Sequence, residues 1–372
     1  MSKVLTLGDV ASIVDCEHKT APISENGSYF AVGTPAMKGN LISFAEARRI
    51  DEGTFLEWTT RLRPVHGDLL LAREAPVGPV VRIPPAENVA PGQRTVLIRP
   101  DDNHVDGLFL FYLLISPVMQ RRMGTLAAGS TVAHLNVADV RNLQLPPLPH
   151  PATQRGIGEV LGALDDKIAS NRRVIEASES LSDALFSFVA RAASGTTPAG
   201  TYFDLAYGKA LPTIERKDGP VPVYGSGGIV GRHESPLFDG PGVVVGRKGS
   251  VGTVYWAEDG AFPIDTTFFI RPHGFPHIFV YLLLKRMRLP LMAADSAVPG
   301  LNRIRVLQES VPALSQADAQ RLAAQVSPLF TKNHQLEQEN TTLTAVRDEL
   351  LPQLMSGRIT VKDAEKRVEE EV

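Results

Sequence analysis

Hydrophobic positions along the chain follow two rhythms that alternate twice. Up to about residue 145 the apolar runs are short. Leu69-Leu70-Leu71 and Val96-Leu97-Ile98 predict buried strands. Residues 108–114 predict a short buried helix, with Ser116-Pro117 ending its first half. Leu145-Pro146-Pro147-Leu148-Pro149 is a stiff connector, because proline fixes φ and opposes helix. From residue 152 to about 193 the rhythm changes. Ile157, Leu161, Leu164 and Ile168 form the apolar stripe of an amphipathic helix, and Ile175, Leu181, Leu185 and Val189 continue it less regularly. About 40 residues at about 1.5 Å each make a rod of about 60 Å. Ser194-Gly195-Thr196-Thr197-Pro198 breaks it.

The mixed pattern then returns over residues 199 to about 312, and a second helix is predicted from 316 to about 355. Pro328 is expected to kink or break its first part. Leu336, Leu343 and Leu350 lie seven apart, with Val346 and Leu354 between, which is a coiled-coil seam. The simplest arrangement packs the two long helices antiparallel as a strut between the globular units. The alternative packs each helix on its own domain. The tail from Val361, ending Arg367-Val368-Glu369-Glu370-Glu371-Val372, is expected to be a solvated, frayed end. The predicted fold class is therefore α+β, with globular parts at 1–150 and 196–314, helices at 151–195 and 315–360, and a charged tail at 361–372.

The repetition extends to residues. Gly67-Asp68-Leu69-Leu70-Leu71-Ala72-Arg73-Glu74-Ala75-Pro76-Val77-Gly78 returns as Pro241-Gly242-Val243-Val244-Val245-Gly246-Arg247-Lys248-Gly249-Ser250-Val251-Gly252. Each copy is an apolar strand, a basic residue and a turn closed by glycine. Leu135-Asn136 returns as Leu301-Asn302, and Gln154-Arg155 as Gln320-Arg321 at the start of each long helix. A tandem duplication predicts a pseudo-two-fold molecule suited to a ligand with two similar halves, with a DNA duplex as the leading case.

Composition narrows the possibilities. The 372 residues are enough for two or three domains with real cores. A net charge of −3 and a pI near 6.3 count against a simple DNA-binding protein, although charge can be local or supplied by partners. Cys16 is the only cysteine, so neither an internal disulfide nor a cysteine-built metal site is expected, in keeping with a reducing cytoplasm. Asp9 and Asp15 interrupt the N-terminal apolar stretch, which argues against a signal peptide, and the apolar run at 278–284 is too short to span a bilayer.

A search for enzyme chemistry finds no phosphate-binding loop and no nucleophile elbow. His273 and His277 are four apart, but Pro276 between them favours a loop over a metal-binding helix face. Gly225-Ser226-Gly227-Gly228-Ile229-Val230-Gly231 misses the glycine spacing of a dinucleotide loop. It makes better sense as a binding surface, with Tyr224, Ser226, Arg232 and His233 among exposed amides, because glycine lets backbone approach a phosphate or base edge closely. Arg247 and Lys248 emerge at a strand end, as Arg73 does in the first copy. An arginine there can grip a guanine edge or a phosphate, or serve as a surface charge or buried ion pair. Gly129-Ser130-Thr131-Val132-Ala133-His134-Leu135-Asn136 matches Ser296-Ala297-Val298-Pro299-Gly300-Leu301-Asn302, followed by Arg303 and Arg305. These are either DNA-facing loops or structural turns in which Asn caps a helix. His18-Lys19-Thr20 can contact DNA or be an ordinary polar loop.

Along nearly its whole length the chain resembles the specificity (S) subunits of type I restriction–modification systems. The similarity is carried by 223–231 with 242–252, by the Leu-Pro-Pro-Leu-Pro connector with Gln154-Arg155-Gly156-Ile157 and Leu164-Asp165-Asp166-Lys167-Ile168, by Asn171-Arg172-Arg173, and by 347–359. The resemblance implies two target-recognition domains, each reading half of a bipartite asymmetric site in double-stranded DNA. It implies that the paired helices set the gap and dock two modification (methyltransferase) subunits, joined by two restriction (motor-nuclease) subunits. S-adenosylmethionine, ATP and Mg2+ would serve those other subunits. This chain would carry no cofactor, no catalytic residue and no metal, would not contact a membrane, and would be cytoplasmic. The second connector, Val311-Pro312-Ala313-Leu314-Ser315, departs from the family pattern and puts that junction's geometry in doubt. The competing readings are a single-chain DNA-modifying or DNA-cleaving enzyme, and an antirestriction decoy or scaffold.

Overall fold

The computed structural model describes residues 4–86, 88–128, 133–293 and 300–371. It contains two compact units, Met1–Ala169 with Asn340–Val372, and Ser170–Glu339. The division passes through both long helices, so each unit holds one mixed α/β part and a segment of each helix.

In the first unit a four-stranded antiparallel sheet is built from β1 (Ala11–Asp15), β2 (Leu69–Ala72), β3 (Val80–Arg82) and β4 (Thr95–Pro100), in the order β1-β4-β2-β3. All four residues of β2 are buried because both sheet faces are covered. Leu69 and Leu71 join the main core, and Leu70 and Ala72 join a second cluster with Val32, Val81 and Leu97. A strand covered on both faces needs an unbroken apolar run, which is why this segment does not alternate. The second unit repeats the arrangement with β5 (Phe203–Tyr207), a hairpin of β6 (Val221–Gly225) and β7 (Gly228–His233), then β8 (Gly242–Gly246), β9 (Val254–Ala257) and β10 (Thr267–Pro272). Its main sheet has the order β5-β10-β8-β9. Register is preserved as well as order. Asp15 pairs with Val96 and Val96 with Leu71, while Tyr207 pairs with Phe268 and Phe268 with Val245.

The long helices span Pro151–Arg191 and Gln316–Met355. In the first unit Ile157, Leu161, Leu164 and Ile168 share one core with Leu343, Val346, Leu350 and Leu354, and with Leu110 and Leu114 of the globular part. In the second, Phe186 shares a core with Leu322, Val326, Phe279 and Val243. Helix-on-helix and helix-on-domain packing are therefore one continuous core in each unit. Each fully buried leucine contributes about 1.5–3 kcal/mol. The helices are antiparallel, with Asp165 against Arg347 in the first unit and Asn171 against Glu339 in the second.

Asp165 is the polar centre of the first unit's helix pair. It accepts from the Tyr112 hydroxyl at 2.6 Å and from Arg347 Nη1 at 2.5 Å. Burial, then the nearby Asp165 charge, pushes the Tyr112 hydroxyl far above its ordinary pKa, so it stays a donor. Asp165→Ala strands a buried hydroxyl and a guanidinium, and is expected to destabilise this unit by about 2–3 kcal/mol in urea unfolding. Adding Tyr112→Phe recovers part of that loss, and strict additivity of the two changes would show that the contact contributes nothing.

Two elements depart from expectation. Pro328 does not break the second helix, which is continuous from Gln316 to Met355. Proline removes one N–H, and packing of Val326 and Phe330 on either side holds the segment in place against that loss. The C-terminal tail is a helix, Val361–Glu371, and not a frayed end. Gly357, at φ 69°, closes the long helix. Thr360 and Asp363 then cap the new one reciprocally: the Thr360 amide donates to Asp363 Oδ2 at 2.9 Å, and the Asp363 amide to Thr360 Oγ1 at 3.2 Å. Ala364 is buried and Arg367 pairs with Glu349 at 2.7 Å. Among the described residues no helix is long and apolar enough to cross a membrane.

Candidate nucleic-acid interface

The basic turn and the Leu-Asn loop, two separate repeats in the sequence, are joined by hydrogen bonds. In the first unit the Leu135 amide donates to the Arg73 carbonyl at 2.9 Å, and the Arg73 amide to the Arg94 carbonyl at 2.9 Å. In the second the Leu301 amide donates to the Arg247 carbonyl at 2.8 Å, and the Arg247 amide to the Thr266 carbonyl at 2.9 Å. The turn closes alike in both, Gly78 donating to Ala72 and Gly252 to Gly246. Gly252 has φ 80° and a Cβ there would lie 2.7 Å from the Pro290 nitrogen, so only glycine fits without displacement. A basic residue is thus braced at the end of the same strand in each unit.

The two arginines differ in what faces them. Arg73 is only 12% exposed; it donates to Asp15 Oδ1 at 3.2 Å and to the Leu135 carbonyl at 3.0 Å. The position of Asp15 in the sheet is taken in the second unit by Tyr207, which is 58% exposed. Arg247 lies over that ring, 5.3 Å from its centroid, and donates to the Asp265 carbonyl at 2.6 Å. One arginine is neutralised by a carboxylate. The other rests on an aromatic face and has no carboxylate partner among the described residues. Tyr207 is the residue that pattern reasoning missed, because Phe203, Leu205 and Tyr207 alternate as core positions and only the strand's end leaves the third outside.

The glycine-rich hairpin tip joins the Arg247 turn. The Ser226 carbonyl accepts from the Thr253 hydroxyl at 2.7 Å and the Tyr255 hydroxyl at 3.0 Å, and a Cβ on Gly249 would lie 3.0 Å from Ser226 Oγ. Ser226, Arg247, exposed Lys248 and the Asn302 loop therefore form one surface. Lys248 pairs by backbone with Gly300. Asn302 caps the helix Arg303–Gln308, accepting from the Arg305 amide at 3.1 Å, and Arg305 is exposed. Asn136 holds the N-cap position of Val137–Arg141, its backbone amide donating to Asp139 Oδ2 at 2.9 Å. The other candidates lie apart or are engaged within the chain. Arg303 grips Asp204 with one nitrogen, at 2.6 and 2.7 Å, and donates to the Leu205 carbonyl at 2.9 Å. Tyr224 is buried, and Arg232, at the far end of the hairpin, donates to the Pro220 carbonyl. His18 pairs with Asp15 at 2.9 Å, Lys19 lies 3.8 Å from Glu57, and Thr20 donates to Gln93 at 3.2 Å. Ser130 and Thr131 lie outside the described residues.

Asp15, Cys16 and His18 bring three potential metal-ligand atoms within 4.8 Å of one another. They fit a metal poorly. Arg73 already occupies the Asp15 carboxylate, and burial pushes the Cys16 thiol up, away from the thiolate a metal needs.

Comparison with known proteins gives this geometry its context. A family model of the type I restriction modification DNA specificity domain matches residues 2–179, and the second unit repeats the first unit's sheet strand for strand. The chain is 25% identical over 279 residues to a putative type I specificity subunit of Mycoplasma genitalium, covering 68% of this chain and 72% of that one. The first half of the chain thus matches the DNA specificity domain of type I restriction–modification systems, and two thirds of its length is similar to one of their specificity subunits. A second relative is the MjaIX specificity subunit of Methanocaldococcus jannaschii, 29% identical over 139 residues, which cover 37% of this chain and 31% of that one. The chain also shares its fold with the crystal structure of an S subunit from M. genitalium, at a TM-score of 0.67 and 20% identity over 94% of this chain and 95% of that one.

Proposed function

We propose that the chain is a specificity (S) subunit, the non-catalytic address unit of a type I restriction–modification complex, reading a bipartite DNA site with one half-site per globular part. The observation that carries the reading is the basic residue braced by the Leu-Asn loop at the same strand end in both units. The parts at 1–150 and 196–314 are the recognition domains, and the helices at 151–195 and 315–360 set the gap. The residues proposed to meet DNA in the second domain are Ser226, Arg247, Lys248, Asn302 and Arg305, with Tyr207 beneath Arg247. In the first domain, His18, Lys19 and Thr20 lie near Arg73 in the fold and form its proposed face together with Asn136.

The first long helix supports the docking role. Val174, Leu181 and Phe188 lie seven apart and are 44%, 49% and 76% exposed. A heptad-spaced apolar stripe left in solvent suits a partner helix. On this reading two methyltransferase subunits bind here, two motor-nuclease subunits complete a cytoplasmic assembly, and S-adenosylmethionine, ATP and Mg2+ act on those subunits. The net charge of −3 accords with weak DNA binding by the isolated chain and tighter binding on assembly.

The deciding experiment is a methylation map of host DNA at single-base resolution with and without this gene. Loss of one bipartite methyl-adenine motif is the expected result. An unchanged map, with the methyltransferase subunit present and bound to the chain, would favour a decoy.

A further inference from the structure

Within the second unit a recess of about 670 Å³ opens among the β6–β7 hairpin, β9, the helix His277–Arg286 and the two long helices. That volume is in the range of small-ligand sites. It is chemically unlike the DNA face. Trp256, Tyr281 and Phe330 meet edge to face, with centroids 5.3 to 5.7 Å apart and planes crossing at 66° to 89°. Each such contact sets the edge of one ring on one face of another, so a ring keeps at most its second face for a further partner.

Carboxylates surround those rings. Glu179 comes from the first long helix and Glu337 from the second, with Asp183, Glu258 and Asp259 also in the lining. The cations there are Arg232, turned to the Pro220 carbonyl, and Lys285, whose ammonium lies 5.9 Å from the Tyr281 centroid. His334 faces Asp259 at 3.2 Å, and Asp183 is paired with Arg286 at 3.0 Å. The negative potential converges inside. The Tyr281 hydroxyl is pushed up to about 12 by burial and then by Glu179, Asp183 and Glu337. Burial raises Glu337 too, with His334 opposing and Glu179 adding to the rise. Asn333, in the same wall, has a side-chain oxygen buried without a hydrogen-bond partner, an acceptor suited to an N–H donor.

We infer that this recess is a binding site for an organic cation, the ammonium or guanidinium group of a free amine or of a partner protein's lysine or arginine. Aromatic faces with flanking carboxylates are the combination that stabilises such a group after it leaves water. A phosphate or nucleobase phosphodiester would meet repulsion here. The inference does not rest on which residues read DNA.

Calorimetry on the full-length S subunit at low ionic strength tests it, with agmatine as the cation and butylurea as its neutral counterpart. Agmatine is expected to bind with a Kd of about 1 mM or tighter. Glu337→Gln and Glu179→Gln, one on each long helix and each checked for an unchanged circular dichroism spectrum, are each expected to weaken it about tenfold. A blocked arginine tripeptide then separates the sources. Binding as tight as agmatine's indicates a partner's side chain, and exclusion indicates a free amine. Agmatine binding that is absent at about 10 mM, matched by butylurea, or unchanged in both glutamine variants would overturn the proposal.

Discussion

Arg247→Ala is expected to relax one half of the methylated motif and leave the other half intact. The guanidinium sits at the end of β8, braced through its own backbone by Thr266 and Leu301, over the exposed face of Tyr207. Among the described residues nothing acidic holds it, and the Asp265 carbonyl that it contacts is a neutral acceptor. A bidentate arginine–guanine contact is worth about 1–3 kcal/mol, so the affected half-site should lose about 5- to 150-fold in discrimination. Arg73→Ala should behave differently although it is the equivalent residue. Arg73 is largely buried against Asp15, so its removal leaves that carboxylate to His18 alone, frees the Leu135 carbonyl and acts mainly on stability. Methylation mapping of the assembled complex reads both effects. Equal loss of both half-sites in a folded Arg247→Ala protein would assign Arg247 to assembly or general phosphate binding.

That contrast marks the limit of what the sequence discloses. The duplicated strand, basic turn and Leu-Asn loop were legible because hydrophobic periodicity and turn glycines act locally. Their joining was not, since Arg73 and Leu135, 62 residues apart, are brought together by a long-range backbone bond that no spacing encodes. The exchange of Asp15 for Tyr207 was equally hidden. It depends on sheet register, and β1 and β5 have no matching residues to align them. The setting of Arg303 was hidden in the same way, because Asp204, about a hundred residues upstream, is brought to it only by the fold. Where the signal was local and overlooked, as with Gly357 and the Thr360–Asp363 cap, the cause was weight given to the tail's charge over its capping pattern.

The second large effect concerns the helices. Inserting one heptad into each, at residues 169/170 and 339/340, is expected to lengthen the gap of the recognised site by about three base pairs while both half-sequences persist. Seven residues add about 10.5 Å of helix, and duplex DNA rises about 3.4 Å per base pair. A full heptad keeps the apolar seam in phase, so Leu343, Val346 and Leu350 still face Leu161, Leu164 and Ile168 in their shared core. An insertion of four residues turns the seam by about 40° and is expected to cost stability as well as change the gap. Insertion in one helix alone mismatches the antiparallel partners, leaving Asp165–Arg347 or Asn171–Glu339 out of register, and should abolish methylation. Retention of the original gap in the double insertion would mean that the spacing is set by the partner subunits. The helices would then serve as docking surface alone, which the exposed Val174, Leu181 and Phe188 stripe would still supply.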